Sequence, residues 1–210
     1  MKQYPKAAEG LKLMFYGELL AIIGILLTII LIGPIIALVG EILVLVGLYR
    51  ARMDDEGYGT AFMLSIVNIV LSIVGLFVPS DGLLGSLLSI ISTIISLAII
   101  YFVCSTTGNL LLSQGESALA QRGQTVWTIN LVCAIVSVVL SLLMWIPLLN
   151  ILAVVGVIVV MIAELVGYIL YMMFLSSSYK LLLIGDCSGR GLMKEPCFMA
   201  TIGLNKRLIV

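Results

Sequence analysis

The sequence has no histidine and few charged residues of any kind. Only 10% of its 210 residues are Asp, Glu, Lys or Arg, and these balance to a net charge of zero, whereas soluble domains carry roughly 25% charged residues. Histidine is the usual general base and the commonest metal ligand, so its absence argues against most hydrolase and metal-site chemistry. The scattered basic residues do not suit a nucleic-acid partner.

Sequence patterns for catalysis are missing as well. The four cysteines, Cys104, Cys133, Cys187 and Cys197, lack the close grouping of a zinc site. A Cys187–Cys197 disulfide fits the count but is not expected in a cytoplasmic segment, where thiols stay reduced. No P-loop, nucleophile elbow, HExxH or dinucleotide-binding glycine pattern occurs. We therefore predict a protein that is not an enzyme, with no catalytic residue, metal or cofactor.

Apolar residues, by contrast, dominate the chain. They make up 62% of it, and the mean hydropathy is +1.26. Exposing so much apolar surface to water would be very unfavourable, so we predict that the lipid bilayer is its solvent. A span needs roughly 20 helical residues, and backbone groups in lipid must pair within the segment. Six runs meet this need, the second being short: 15–33, 35–50, 60–79, 84–104, 124–146 and 149–176.

The six runs divide into three similar pairs. Each pair turns at a proline, namely Pro34, Pro79 and Pro147. We predict an all-α polytopic membrane protein with six transmembrane helices, arranged as three tandem parallel hairpins at about 15–50, 60–104 and 124–176. Small residues recur at steps of three and four within the runs, which favours close packing in a left-handed bundle.

The basic residues predict the topology. All eleven lie in the N-terminal segment, the 2–3 and 4–5 connections or the tail, and cytoplasmic segments carry the excess of Lys and Arg. We predict a multi-pass protein of the plasma membrane with both termini cytoplasmic. The membrane domain is 1–179, with a polar N-terminal 1–14, and the cytoplasmic tail is 180–210.

Two connections are of interest. The connection 105–123 either extends the fourth span or lies along the membrane surface. The acidic run Asp54-Asp55-Glu56 is expected to be a solvated loop, since three consecutive acids do not make a Ca²⁺ loop.

A few polar residues lie inside the spans and form the candidate site. An ionised acid at mid-membrane costs roughly 2.5–3.5 kcal/mol, so Glu41 and Glu164 are expected to face the bundle interior. Glu18 is expected to lie about one turn from the inner edge and to reach the interface. Either the acids are a proton- or cation-linked site, or they are neutral and hydrogen-bonded across helices. The candidates are Glu18, Glu41, Glu164, Asn68 and Asn130, with Thr93 as the polar residue of the fourth span.

Three stretches carry a resemblance. These are IALVGEILVLVGLYRARMDDEGYGTAFMLSIVNIVLSIV, IIYFVCSTTGNLL and GQTVWTINLV. Over about residues 10–180 the chain resembles a group of uncharacterised multi-pass membrane proteins of Gram-positive gut-type bacteria. The resemblance implies a small bacterial integral membrane protein and implies no activity, substrate or site.

The sequence thus favours a non-catalytic integral membrane protein that scaffolds or regulates through helix packing and its cytoplasmic loops. The alternative is a small transporter or channel that uses Glu41 and Glu164, and a membrane enzyme is least favoured. The expected partners are the lipid bilayer and either further copies of the chain or another membrane protein. Whether the two acids line a water-accessible cavity or are sealed in a packed seam separates the first two hypotheses.

Overall fold

The computed structural model describes residues 4–27, 33–75, 77–78, 83–143 and 150–189. Within these ranges the secondary structure is helical, without strands. Among the described residues, four helices are long and apolar enough to cross a membrane, which agrees with the prediction of an all-α membrane protein. The helices are α1 (Pro5–Leu26), α2 (Gly33–Ala51), α3 (Glu56–Gly75), α4 (Leu83–Ser113), α5 (Ser117–Leu143) and α6 (Asn150–Gly189).

The acidic loop between α2 and α3 completes the starts of two helices. Asp55 lies just before α3, and its Oδ1 accepts a 2.8 Å hydrogen bond from the Gly57 N–H. Asp54 accepts a 2.7 Å bond from the Ala7 N–H in the first turn of α1. The first N–H groups of a helix have no partner within it, so acidic side chains there are stabilising. The loop predicted to be merely solvated therefore ties the start of α1 to the α2–α3 connection.

Gly115 makes the tight turn between α4 and α5. It has a φ of 89°, in the left-handed region that glycine tolerates best. The Gly115 N–H donates to the Leu112 carbonyl and the Glu116 N–H to the Leu111 carbonyl, both at 3.0 Å. This pair of bonds is the Schellman motif that ends many helices. The connection 105–123 is accordingly almost all helix, and its turn is only three residues long.

Glycines let α1 and α2 pack backbone to backbone. Gly10, Gly17 and Gly24 recur every seven residues on α1, and Gly40 and Gly47 do so on α2. A Cβ built on Gly10 would lie 2.5 Å from the Gly47 carbonyl oxygen, and one on Gly17 would lie 2.6 Å from that of Gly40. Small faces permit this approach in lipid, where van der Waals packing drives helix association.

The buried core lies at one end of the molecule. It forms where the start of α1 meets the α2–α3 and α4–α5 connections and the second half of α6. Its largest fully buried side chains include Leu11, Leu48, Tyr58 and Leu111. At the other end of the helices apolar side chains are exposed, as with Phe77 at 83% and Leu84 at 70%. We call the buried set the core cluster and describe positions away from it as outward.

The helices contact one another in a ring. Each helix packs on its neighbours in the chain, α1 also packs on α6, and α4 touches α6 across the ring. The most extensive of these interfaces is that between α1 and α2. The first and last helices therefore close the arrangement.

Several predicted boundaries differ from the observed helices. α1 begins at Pro5, because Ala7, Ala8 and Leu11 form a buried face although lysines interrupt the hydrophobic run. α6 continues to Gly189, so the predicted boundary between membrane domain and tail at residue 180 falls inside a helix. Pro34 is the second residue of α2. The other two turn prolines, Cys197 and the tail beyond 189 lie outside the described residues.

Candidate functional site

A polar side chain lies seven residues outward of a buried residue on every helix. Seven residues are two helical turns, about 10 Å of rise, and return to almost the same helix face. The buried residues are Leu11, Leu48, Ala61, Val103, Gly123 and Tyr171. The corresponding polar residues, which we call the polar tier, are Glu18, Glu41, Asn68, Ser96, Asn130 and Glu164. The five sequence candidates are thus all members of one structural set.

Burial decreases from the core cluster to the polar tier. Leu48 is fully buried and Tyr171 is 3% exposed. Two turns further out on the same faces of α2 and α6 are Glu41 and Glu164. Both are exposed. These faces of α2 and α6 are therefore buried at the core cluster and exposed at the polar tier. Further out still, α3 and α4 leave a pocket of about 220 Å³.

Glu18 is held between α1 and α6. The Tyr168 hydroxyl donates to the Glu18 carboxylate and lies 3.2 Å from the Glu18 backbone oxygen. Since α1 begins at Pro5, Glu18 lies 13 residues into the helix, about 20 Å at 1.5 Å per residue. Glu18 therefore lies well inside the helix, because α1 starts ten residues earlier than the hydrophobic run. Its reach to the membrane interface stays a prediction.

Asn68 joins α3 to α4. Its side-chain amide accepts a 2.8 Å hydrogen bond from Ser92 and approaches Ser96 at 3.4 Å through its nitrogen. A carboxamide has both donors and an acceptor, so one residue serves both serines. Interhelical hydrogen bonds of this kind help to hold helices together in lipid.

Asn130 and Glu164 lie at the interface of α5 and α6. Asn130 donates to the Val126 carbonyl of its own helix at 2.8 Å, and its Oδ1 would be 3.4 Å from a Cβ on Gly167. Ser137 donates to the Glu164 carboxylate at 2.5 Å. Glycine at position 167 therefore leaves room for the Asn130 amide, while Glu164 has a hydroxyl partner and remains exposed.

Glu41 has no hydrogen-bond partner among the residues that the structure describes. It interacts electrostatically with Glu18 across the α1–α2 pair. Glu41 and Glu164, which the sequence suggested as a pair, are not joined by a hydrogen bond; the partner of Glu164 is Ser137.

The tier contains carboxyl, amide and hydroxyl groups and no cation. In the described part of the chain, no three Cys, Asp or Glu side chains lie close enough together to hold a metal ion. The chemistry that these groups support is proton exchange at the carboxyls and weak coordination of a small cation by oxygen atoms.

Two members of this site were not found by sequence reasoning. Thr93 was taken as the polar residue of the fourth span, but its hydroxyl bonds to the Ser89 carbonyl of its own helix at 2.9 Å. Ser96 is the residue that meets Asn68. Tyr168, which donates to Glu18, was also absent from the candidates. The signal that distinguishes Ser96 from Thr93 is the distance from the buried Val103. Ser96 is seven residues away and so lies on the same helix face, whereas Thr93 does not have this spacing.

Comparison of the chain with models of protein families, with curated proteins and with solved structures found no match in any of the three. The resemblance to uncharacterised bacterial membrane proteins therefore stays a prediction.

Proposed function

We propose that the protein is a small transporter or channel for protons or a small cation, with the polar tier as its binding site. The observation that carries the proposal is the exposure of Glu41 and Glu164 on helix faces that are buried two turns further in. An acid inside a membrane span is costly unless it faces water or a partner. An acid that the described residues leave uncovered supports a site that water reaches.

The proposal includes six spans in three tandem parallel hairpins, in a left-handed bundle. The support is the packing of α1 on α2 over their described lengths, together with the four long apolar helices. The distribution of Lys and Arg supports cytoplasmic termini in a bacterial plasma membrane. A tag after Val210 should then be reached by antibody only after the cells are permeabilised; labelling of intact cells would overturn this topology.

The experiment that tests the proposed function is water access to position 41. Glu41→Cys is placed in a background without the four native cysteines and treated with a charged, membrane-impermeant thiol reagent in vesicles. Val39→Cys is the matched control, because two residues turn a helix by about 200° and place it on the opposite face at similar depth. Labelling at 41 but not at 39 supports the proposal, and labelling at neither position overturns it.

Flux is the second test. The full-length protein in proteoliposomes with an internal pH-sensitive dye should dissipate an imposed pH gradient. The double variant Glu41→Gln, Glu164→Gln should lose this activity, whereas Glu116→Gln, in the exposed α4–α5 turn, should retain it. Equal rates in all three proteins and in empty liposomes would leave the tier without a transport role.

The second candidate function is a scaffold or regulator in the membrane. It is favoured by the ordered α2–α3 loop, where Asp54 and Asp55 are used as helix caps and present a fixed surface to a partner. In that case Glu41 would be covered by another copy of the chain or by a different membrane protein. Labelling of Glu41→Cys separates the two candidates, because a covered residue does not react.

A further inference from the structure

A pocket of about 350 Å³ lies between α4 and α5, on the core side of the polar tier. Its size is at the lower end of the range of ligand sites, about 300–1,000 Å³. Gly108 and Ala120, both buried, are the smallest residues of its lining. It is separate from the polar tier, and none of the tier residues lines it.

The walls of the pocket carry uncharged polar groups on both helices. Ser105 and Asn109 come from α4, and Gln124 and Thr128 from α5. The side chains of Ser105, Asn109 and Gln124 have no hydrogen-bond partner among the described residues. Amides and hydroxyls both donate and accept hydrogen bonds, so they suit ligand hydroxyl groups, which also do both.

A pair of aromatic side chains lies at the outward end of the pocket. The Tyr101 and Trp127 rings meet edge to face with centroids 5.1 Å apart, and both line the pocket. No Asp, Glu, Lys or Arg is among the lining residues. The lining offers no opposite charge to an ion, so it favours a neutral ligand with one apolar face.

The location identifies the source of the ligand. The pocket lies near the α4–α5 turn, where the helices end, and Tyr and Trp are enriched at the boundary between lipid and water. Large apolar side chains are exposed on both helices just outward of it, including Ile94 and Val132. A ligand with its polar part in the pocket could lay an acyl chain along these residues.

We propose that this pocket binds the uncharged, hydroxyl-rich headgroup of a membrane lipid, of the glycosyl diacylglycerol kind. The sugar hydroxyls bond to Asn109 and Gln124, and the apolar face of the ring packs on Trp127. This inference is independent of transport through the polar tier.

The test uses the full-length protein with Trp145→Phe, which leaves Trp127 as the single tryptophan of the two in the sequence. The protein is placed in phosphatidylcholine nanodiscs containing increasing fractions of monoglucosyl diacylglycerol. The expected result is a saturable change in Trp127 fluorescence, weakened at least fivefold by Gln124→Ala. Gln121→Ala is the matched control, since Gln121 is exposed on the same helix and does not line the pocket.

Two further ligands test whether the pocket recognises the neutral glycolipid rather than any lipid or a soluble sugar. Phosphatidic acid, which is charged and lacks a sugar, should give no saturable change. Free methyl glucoside should act only at far higher concentration than the lipid; an equal response would mean that the site takes a soluble sugar and would overturn the lipid assignment. The absence of saturation with the glucosyl lipid, or an equal loss in Gln121→Ala and Gln124→Ala, would overturn the site. Gln124 is exposed, and surface substitutions usually leave the fold intact.

Discussion

Gly17 and Gly40 face each other across α1 and α2. A Cβ on Gly17 would lie 2.6 Å from the Gly40 carbonyl oxygen, and a Cβ on Gly40 would lie 2.5 Å from that of Gly17. The contact is mutual and made by backbone atoms, which cannot move aside as a flexible side chain can. These two helices can only pack so closely with no side chain at either position.

Gly17→Ala should therefore separate α1 from α2. Its Cβ would also meet the Val44 backbone nitrogen at 2.9 Å, and such overpacking costs about 1–3 kcal/mol. We expect a lower midpoint in thermal unfolding of the purified protein in detergent. Gly59→Ala is the control, because its Cβ meets only the Arg52 Cβ at 3.9 Å; if both variants unfolded alike, the close packing would not matter.

Tyr168→Phe should weaken the attachment of α1 to α6. The change deletes the hydroxyl that donates to the Glu18 carboxylate, leaving an acid between helices without that partner. Loss of a hydrogen bond to a carboxylate costs about 1.5–3 kcal/mol. Tyr16→Phe is the matched variant, since Tyr16 is 44% exposed and makes no described hydrogen bond. Chemical denaturation in micelles compares the two, and equal stability would contradict the role of Tyr168.

Asn68→Ala should loosen α3 from α4 and couple energetically to Ser92→Ala. The two side chains share a 2.8 Å hydrogen bond, and measured couplings between helices in membranes average about 0.6 kcal/mol and reach about 1.7. A double-mutant cycle on unfolding free energy gives this coupling. The same cycle with Thr93→Ala should be additive, because Thr93 bonds within its own helix. Equal coupling in both cycles would argue against the bridge.

Asp54→Ala should expose the start of α1. The Ala7 N–H would lose its 2.7 Å acceptor, and loss of such a cap costs about 0.5–2 kcal/mol. We expect faster hydrogen–deuterium exchange at Ala7 and Ala8, with little change in α3. Glu56→Ala is the control. Glu56 is exposed and lies two residues after Asp54, so its substitution should leave exchange in α1 unaltered. Faster exchange in both variants would mean that the whole loop, rather than this bond, protects the helix.

The sequence was sufficient for the helical membrane class. Five of the six tier residues were candidates from the sequence, because acids and amides stand out in apolar runs. It did not reveal Ser96, since serines are common along α4 and only the position of Val103 in the core distinguishes one from another. The partner of Glu18 could not be predicted either. Tyr168 lies 150 residues away, and which helices meet is decided by packing around the whole ring.

The start of α1 was open to prediction and was missed. Ala7, Ala8, Leu11 and Met14 are buried, and their spacing is that of one helix face. A search for long apolar runs passes over this pattern because Lys6, Glu9 and Lys12 lie between them on the other faces. The Asp54 cap, in contrast, is a contact over 47 positions that no local pattern indicates.

That cap also bears on the order in which the protein is assembled. During synthesis, the first turn of α1 leaves the ribosome long before Asp54 does, so its N–H groups must rely on water or other partners in the meantime. Only when α2 has been made and has returned to the side of α1 can the loop supply the acceptor. Capture of Ala7 by Asp54 would therefore mark completion of the first helical pair, and an N-terminal reporter of exchange could time that step in a translating ribosome.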